Sequence, residues 1–168
     1  RMMDNTRAKL PPVSDATCGG RMMWFDKQHP LALYLDNREI ADVELCDGRH
    51  FSVRPDIVAD FTALPFPDKS FRLVVFDPPH LVRAGEASYT AVKYGRLDPN
   101  WRTTLRAGFQ ECMRVLRPGG TLIFKWSEYQ IPVKDVLEVI GDVPLFGHRS
   151  GRASKTHWMV FMRGEGER

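Results

Sequence analysis

Asp77-Pro78-Pro79-His80 is the most chemically specific run in the sequence. Two successive prolines fix φ and carry no N–H, so their carbonyls stand free of competing donors. The Asp77 carboxylate and the neighbouring Pro78 carbonyl can then accept both hydrogens of a planar NH2 group. Such acceptance draws the nitrogen lone pair out of conjugation and aims it at an electrophile. The ring of His80 can stack on a flat substrate, as flipped or single-stranded bases are sandwiched. Read more blandly, the same run is a rigid loop that ends a strand.

Asp15, Asp36 and Asp60 join Asp77 in or at the ends of four successive strand-like runs. In an open parallel sheet, ligands bind in the crevice at the carboxyl ends of the strands. A single Asp there serves equally well as a turn cap; four together are harder to explain that way. Cys18-Gly19-Gly20 is not a G-x-G-x-x-G fingerprint, so a pyrophosphate-binding dinucleotide site is poorly supported. Paired glycines still let a small ligand approach the backbone closely. Asp36 lies sixteen residues beyond Gly20, where an acid accepts hydrogen bonds from ribose hydroxyls. A nucleoside-type cofactor without phosphates fits this set better than NAD.

The elements that must position these residues alternate between short apolar runs and helical patterns, as in an α/β sheet. Strands are expected over 13–16, 31–35, 56–59, 71–76 and 121–126, with closing strands over 145–147 and 156–162. The runs 43–46 and 50–53 flank Asp47-Gly48 and read as a β-hairpin. Residues 21–27 are compatible with a helix. The clearest helix covers 101–116, where Leu105, Phe109, Cys112, Met113 and Leu116 share one face. A shorter one covers 133–140. Pro118-Gly119-Gly120 is expected to end the approach to the strand at 121. Residues 81–100 show no clear periodicity and suit a mobile lid or recognition loop.

With 168 residues, 43% hydrophobic and 27% charged, the chain fits a single domain over 1–168 with its core about 13–162. No apolar run approaches the length needed to cross a bilayer, and the polar first ten residues show no signal peptide. Cys18, Cys46 and Cys112 form neither a disulfide framework nor a zinc pattern, which favours a reducing cytoplasm. His29, His50, His80, His148 and His157 lack ligand spacing, so no metal site is expected. The net charge of +3 is compatible with a nucleic-acid partner but supports it weakly. The basic loop 148–155, with Arg149, Arg152 and Lys155, can grip phosphates together with Arg83, Lys93 and Arg96; such loops are as often simply solvated. Tyr89, Tyr94 and Trp101 interleave with basic residues, which adds slightly to base stacking. Lys125 and Trp126 either line the pocket or, for the Trp, fill the core.

Asp77-Pro78-Pro79-His80 resembles the (Asp/Asn/Ser)-Pro-Pro-aromatic motif of class I S-adenosylmethionine-dependent amino-methyltransferases, the N6-adenine and N4-cytosine DNA enzymes and several RNA enzymes among them. Asp15-Ala16-Thr17-Cys18-Gly19-Gly20 is similar to their cofactor loop, without the usual third glycine, and Asp36 to their ribose-binding acid. Asp60-Phe61 is similar to the pair that contacts the cofactor's adenine, and the stretch from Leu116 to Leu122 to the turn leading into strand five. The matches run in the family's order over roughly residues 13–162.

The resemblance implies a Rossmann-like fold: a seven-stranded, mostly parallel sheet in the order 3-2-1-4-5-7-6, helices on both faces, the last strand antiparallel. It implies S-adenosyl-L-methionine as cofactor, held by Asp15, Thr17, Cys18, Gly19, Gly20, Asp36, Asp60 and Phe61. The acting residues are then Asp77, Pro78, Pro79 and His80, with in-line attack of an amino nitrogen on the sulfonium methyl group and catalysis mostly by positioning. His80 departs from the commoner Tyr, Phe or Trp, which makes stacking weaker and pH-sensitive. A base in DNA or RNA is the expected acceptor, bound with help from Arg83, Lys125, Arg149, Arg152 and Lys155. No separate recognition domain fits the length, so sequence reading would need a homodimer, a specificity partner or short loops. A protein amide, a small amine, or a silent nucleic-acid-binding module of the same fold are the alternatives.

Overall fold

The computed structural model describes residues 9–83, 89–149, 151 and 153–166. Its elements are β1 (Val13–Asp15), β2 (Ala32–Asp36), β3 (Ile40–Glu44), β4 (His50–Val53), β5 (Ile57–Val58), β6 (Phe71–Phe76), α1 (Tyr89–Tyr94), α2 (Trp101–Val115), β7 (Leu116–Ser127), α3 (Val133–Ile140), β8 (Phe146–Arg149) and β9 (Thr156–Met162). Seven strands form one sheet in the order β5-β2-β1-β6-β7-β9-β8, and β3 and β4 pair separately. Numbering only the strands of the large sheet along the chain, the order is 3-2-1-4-5-7-6. Strands β5, β2, β1, β6 and β7 pair in parallel, whereas β9 runs antiparallel to both β7 and β8. No helix among the described residues is long and apolar enough to cross a membrane.

The apolar alternation of β7 explains the main core. Leu122, Phe124 and Trp126 are fully buried, on one face because strand side chains alternate. They join Leu105, Phe109 and Cys112 of α2 and Val136 and Ile140 of α3 in one cluster. Phe76 stacks on Phe124 with ring centroids 5.2 Å apart. The Trp126 indole N–H donates to the Ile131 carbonyl at 3.0 Å, so Trp126 belongs to the core rather than to the pocket. A smaller cluster of Cys18, Ala32 and Tyr34, with Val13 and Trp24, packs beside β1 and β2.

Three expectations about the elements need correction. Residues 21–27 form turns, not a helix. Arg21 sits at φ 55, a left-handed conformation that interrupts helix. Its guanidinium donates to the carbonyls of Lys27 and Arg54 at 2.6 and 2.7 Å and lies 3.7 Å from the Tyr34 ring centroid. β7 begins at Leu116, not after Pro118-Gly119-Gly120. The glycines make this possible as an irregularity: Leu116 pairs with Phe71 and Thr121 with Leu73, while Gly119 takes φ 72 and donates to the Arg163 carbonyl. Finally, the stretch 81–100 contains the short helix α1. The hairpin forms as its Asp-Gly turn requires, with Gly48 at φ 77.

Candidate active site

Parallel pairing brings the carboxyl ends of β5, β2, β1, β6 and β7 along one rim of the sheet. Across that rim, in sheet order, stand Asp60 and Phe61 after β5, Asp36 at the end of β2, the loop 16–20 after β1, Asp77 after β6, and Lys125 near the end of β7. A cavity of about 520 Å3 opens there, lined by Thr17, Cys18, Gly19, Gly20, Asp36, Asp60, Phe61, the whole run Asp77 to His80, and Lys125. That volume is ordinary for a small-molecule site, at roughly 300–1,000 Å3.

Hydrogen bonds tie the two halves of this cavity together. The Gly19 N–H donates to Asp36 Oδ2 at 2.9 Å, fixing the loop after β1 to the end of β2. Asp36 Oδ1 accepts the Arg38 backbone N–H at 3.0 Å and its Nε–H at 3.1 Å. A carboxylate offers about four acceptor sites, so one remains for a ligand hydroxyl. On the other side, the Asp77 N–H donates to the Thr17 hydroxyl at 2.7 Å, so the glycine loop also sets the height of the Asp-Pro-Pro-His run. Cβ atoms are excluded where the loop is tightest: one on Gly20 would sit 2.9 Å from the Phe51 ring, whereas Gly19, at φ 48, faces open space.

Asp15 stands apart from this wall. It is buried and does not line the cavity; its carboxylate accepts the Trp24 indole N–H at 2.7 Å and the Thr17 N–H at 3.1 Å. Burial pushes it up to about 7 against the opposing pull of those two donors. Its position supports the loop from behind. Burial also pushes the Cys18 thiol up to about 12, which keeps it un-ionised and unreactive.

At the β6–β7 end of the cavity, the Lys125 ammonium donates to Asp77 Oδ2 at 3.0 Å. Burial holds the Asp77 carboxyl above its usual range, and Lys125 opposes that rise. Burial, with the Lys125 charge, lowers His80, so its imidazole is neutral at physiological pH. The His80 ring lies 5.9 Å from Tyr94 and 6.4 Å from Trp126 between centroids. It is therefore set between the aromatic rings of Tyr94 and the buried Trp126.

Of the expected phosphate-gripping residues, Lys93 and Arg96 line the cavity, whereas Arg83, Arg149 and Lys155 do not reach it. Arg83 meets Gln130 through its backbone, Arg149 pairs with Glu128 at 3.2 Å, and the Lys155 ammonium lies 4.9 Å from the Tyr129 ring. None of the three lines the cavity; Arg152 lies outside the described residues. With Lys93 and Arg96 the cavity takes in Tyr94, also expected, and adds Arg38 and Trp158. Arg38 and Trp158 escape sequence reading. The first is recognisable only from its spacing to Asp36, and the second only through pairing of Lys125 with Trp158 across β7 and β9. Among the described residues no group of His, Cys, Asp or Glu is placed to hold a metal ion.

No protein-family model matches the chain, and no curated protein does. Solved structures do match. One is the PH0226 protein from Pyrococcus horikoshii, at 16% identity and TM-score 0.57, covering 90% of this chain and 81% of that one. Another is a chain from the complex of the Haloferax volcanii Trm112 methyltransferase activator with a candidate methyltransferase, at 14% identity and TM-score 0.54, covering 95% and 85%. A third is a SAM-dependent methyltransferase from Leishmania major, at 15% identity and TM-score 0.51, covering 89% and 63%. The fold is that of the class I methyltransferases. Within it, the loop after β1, the acid ending β2 and the run after β6 surround one cavity of this methyltransferase fold.

Proposed function

We propose that the chain is an S-adenosyl-L-methionine-dependent methyltransferase acting on an exocyclic amino group of a base in DNA or RNA. One observation carries the reading: a single cavity joins a nucleoside-compatible wall to the Asp77-Pro78-Pro79-His80 run. The donor set fits the cofactor. Asp36 keeps one acceptor site for a ribose hydroxyl, and Asp60 Oδ1 accepts both the Thr62 N–H and its hydroxyl, leaving Oδ2 for an adenine N–H. Phe61 packs edge-on to Phe76, centroids 5.2 Å apart, and offers its apolar surface to a flat ring. The Leishmania major neighbour, described as SAM-dependent, supports the same cofactor.

When bound, the cofactor supplies an electrophilic methyl group on sulfur. The residues of this chain orient the acceptor. Asp77 and the Pro78 carbonyl accept the two N–H bonds of the acceptor, which holds its lone pair out of the ring plane. His80 and Tyr94 give flat surfaces for the base, and neutral His80 can take a hydrogen bond without adding charge. Asp15 and Thr17 hold the loop that sets the height of Asp77. Catalysis by such an array is positioning, which can supply about 7–11 kcal/mol of barrier lowering. Lys93, Arg96 and Arg38 provide positive charge at the mouth for a backbone phosphate, and a specificity partner or a second copy would supply sequence reading.

The test is a labelled-methyl transfer assay across DNA, RNA and protein pools, followed by nucleoside analysis. The reading expects N-methylated adenine or cytosine and its loss in Asp77→Ala, with cofactor affinity retained. Label in protein only would favour an amide acceptor. Nucleic-acid binding without cofactor binding would favour a silent module.

A further inference from the structure

Lys125 holds a position that positioning of an amino group does not by itself require. Its ammonium touches the carboxylate meant for the acceptor, at 3.0 Å from Asp77 Oδ2, and lies 5.4 Å from the Trp158 ring centroid. Both side chains remain about a quarter exposed, 27% for Lys125 and 24% for Asp77, and both line the cavity. An ammonium has three donors and no acceptor. One is used on Asp77, so the pair presents a hydrogen-bond acceptor and a hydrogen-bond donor side by side.

That pattern is complementary to a particular edge. An aminated base presents an N–H next to a ring-nitrogen lone pair, whereas an alkyl amine presents N–H groups alone. The exocyclic lone pair is delocalised into the ring, so the ring nitrogen is the stronger nucleophile of the two. A site that only held the amino group would leave the better nucleophile free to react.

We infer that Lys125 is a specificity residue that donates to the ring nitrogen beside the reacting amino group, selecting that edge and masking its lone pair from methylation. This rests on the amino-methyltransferase reading above and deepens it. Methyl transfer forms one N–C bond and breaks one S–C bond, whose electron pair stays on sulfur to give a neutral thioether. The surplus amino proton leaves through Asp77 to solvent. With Lys125 on the ring nitrogen, the exocyclic nitrogen is the one of the two neighbours whose lone pair remains available.

The experiment uses the full chain with single-stranded oligonucleotides carrying adenine, 1-deazaadenine or 7-deazaadenine, and cytosine or 3-deazacytosine. Binding is read by fluorescence anisotropy without methyl donor, and products by nucleoside analysis after transfer. The wild type is expected to bind the parent base about tenfold tighter than the analogue lacking the contacted ring nitrogen, the scale of one charge-assisted hydrogen bond. Lys125→Met should abolish that ratio and release ring-methylated product beside the exocyclic one. Lys125→Arg should keep both ratio and product. The inference is overturned if the wild type ignores the deaza substitutions, or if Lys125→Met keeps the discrimination or yields exocyclic product alone. A wild type that methylates none of the parent oligonucleotides overturns the amino-methyltransferase reading itself, a result distinct from failure of the Lys125 role.

Discussion

The Gly19 N–H and the Asp36 carboxylate meet at 2.9 Å, which makes one side chain both a wall of the cavity and a strut of its loop. Asp36 is 6% exposed and also holds Arg38, whose Nη1 donates to the Val92 carbonyl of α1 at 3.0 Å. The end of β2 thus links the loop after β1 to the helix beyond the Asp-Pro-Pro-His run. Asp36→Ala is expected to weaken cofactor binding by about 1–3 kcal/mol, the scale of a lost charge-assisted bond, with a lower melting temperature as the strut goes. Calorimetric titration with S-adenosyl-L-methionine checks it; unchanged affinity would remove Asp36 from the site.

Gly108 lets α2 approach the floor of the cavity. A Cβ there would clash with the Phe61 ring and lie 2.9 Å from Phe76 Cζ. Gly→Ala in a helix interior gains about 1 kcal/mol of propensity, but overpacking a core costs about 1–3 kcal/mol. The clash involves two aromatic rings in the packed interior, so the cost wins. Gly108→Ala should lower unfolding free energy in urea and, by displacing Phe61, raise the cofactor Kd. A stabilised variant with normal affinity would show that the rings can yield.

Burial raises the Asp15 carboxyl from 3.8 to about 7, so the folded chain binds a proton more tightly than the unfolded one. The unfolded state therefore loses that proton first as pH rises. Its contribution to stability is full below about pH 4, declines between about pH 4 and 7, and is gone above that, a fall of up to ~4 kcal/mol at about 1.4 kcal/mol per unit. Denaturant midpoints measured across this window should shift downward with rising pH. The slope should be shallower in Asp15→Asn, which does not titrate there, with the remainder left by Asp77, whose carboxyl burial also raises. An identical slope in the variant would assign the effect to other groups.

Arg114 is the clamp for the segment after Asp60. It donates to the Phe66 and Leu64 carbonyls at 2.8 and 3.0 Å and to Asp68 and Glu111 at 2.8 and 2.7 Å, while Glu111 accepts the Leu64 N–H at 2.7 Å. Arg114→Ala leaves those carbonyls and the half-buried Glu111 short of donors, at an expected cost of about 1–3 kcal/mol. Hydrogen exchange should show loss of amide protection at Leu64 and Phe66 ahead of the β6 amides. Unchanged exchange there would mean that Leu64 and Phe66 are held by packing alone.

Most of the frame was legible because it depends on local chemistry. The run 71–76, apolar but for the exposed Arg72, reads as a largely buried strand, the Asp-Gly at 47–48 favours a hairpin, and the spacing of Leu105, Phe109 and Cys112 fits one helical face. The carboxylates at strand ends were readable for the same reason: parallel strands bring their carboxyl ends to one rim. Helical compatibility at 21–27 misled because propensity is weak beside long-range anchoring, here Arg21 reaching residues 33 positions away.

What residue types and order determined by themselves is which groups could do chemistry and on which rim they stand. Partnership was decided by tertiary structure. Arg149 is drawn to Glu128 rather than to the cavity, Asp15 is buried behind the cavity whose cofactor it was expected to hold, and Lys125 meets Asp77 across a separation of 48 residues. Hydrogen bonds and ion pairs act over about 3 Å, and no spacing along a chain specifies which distant side chains will fall within that reach. Only the packed sheet does.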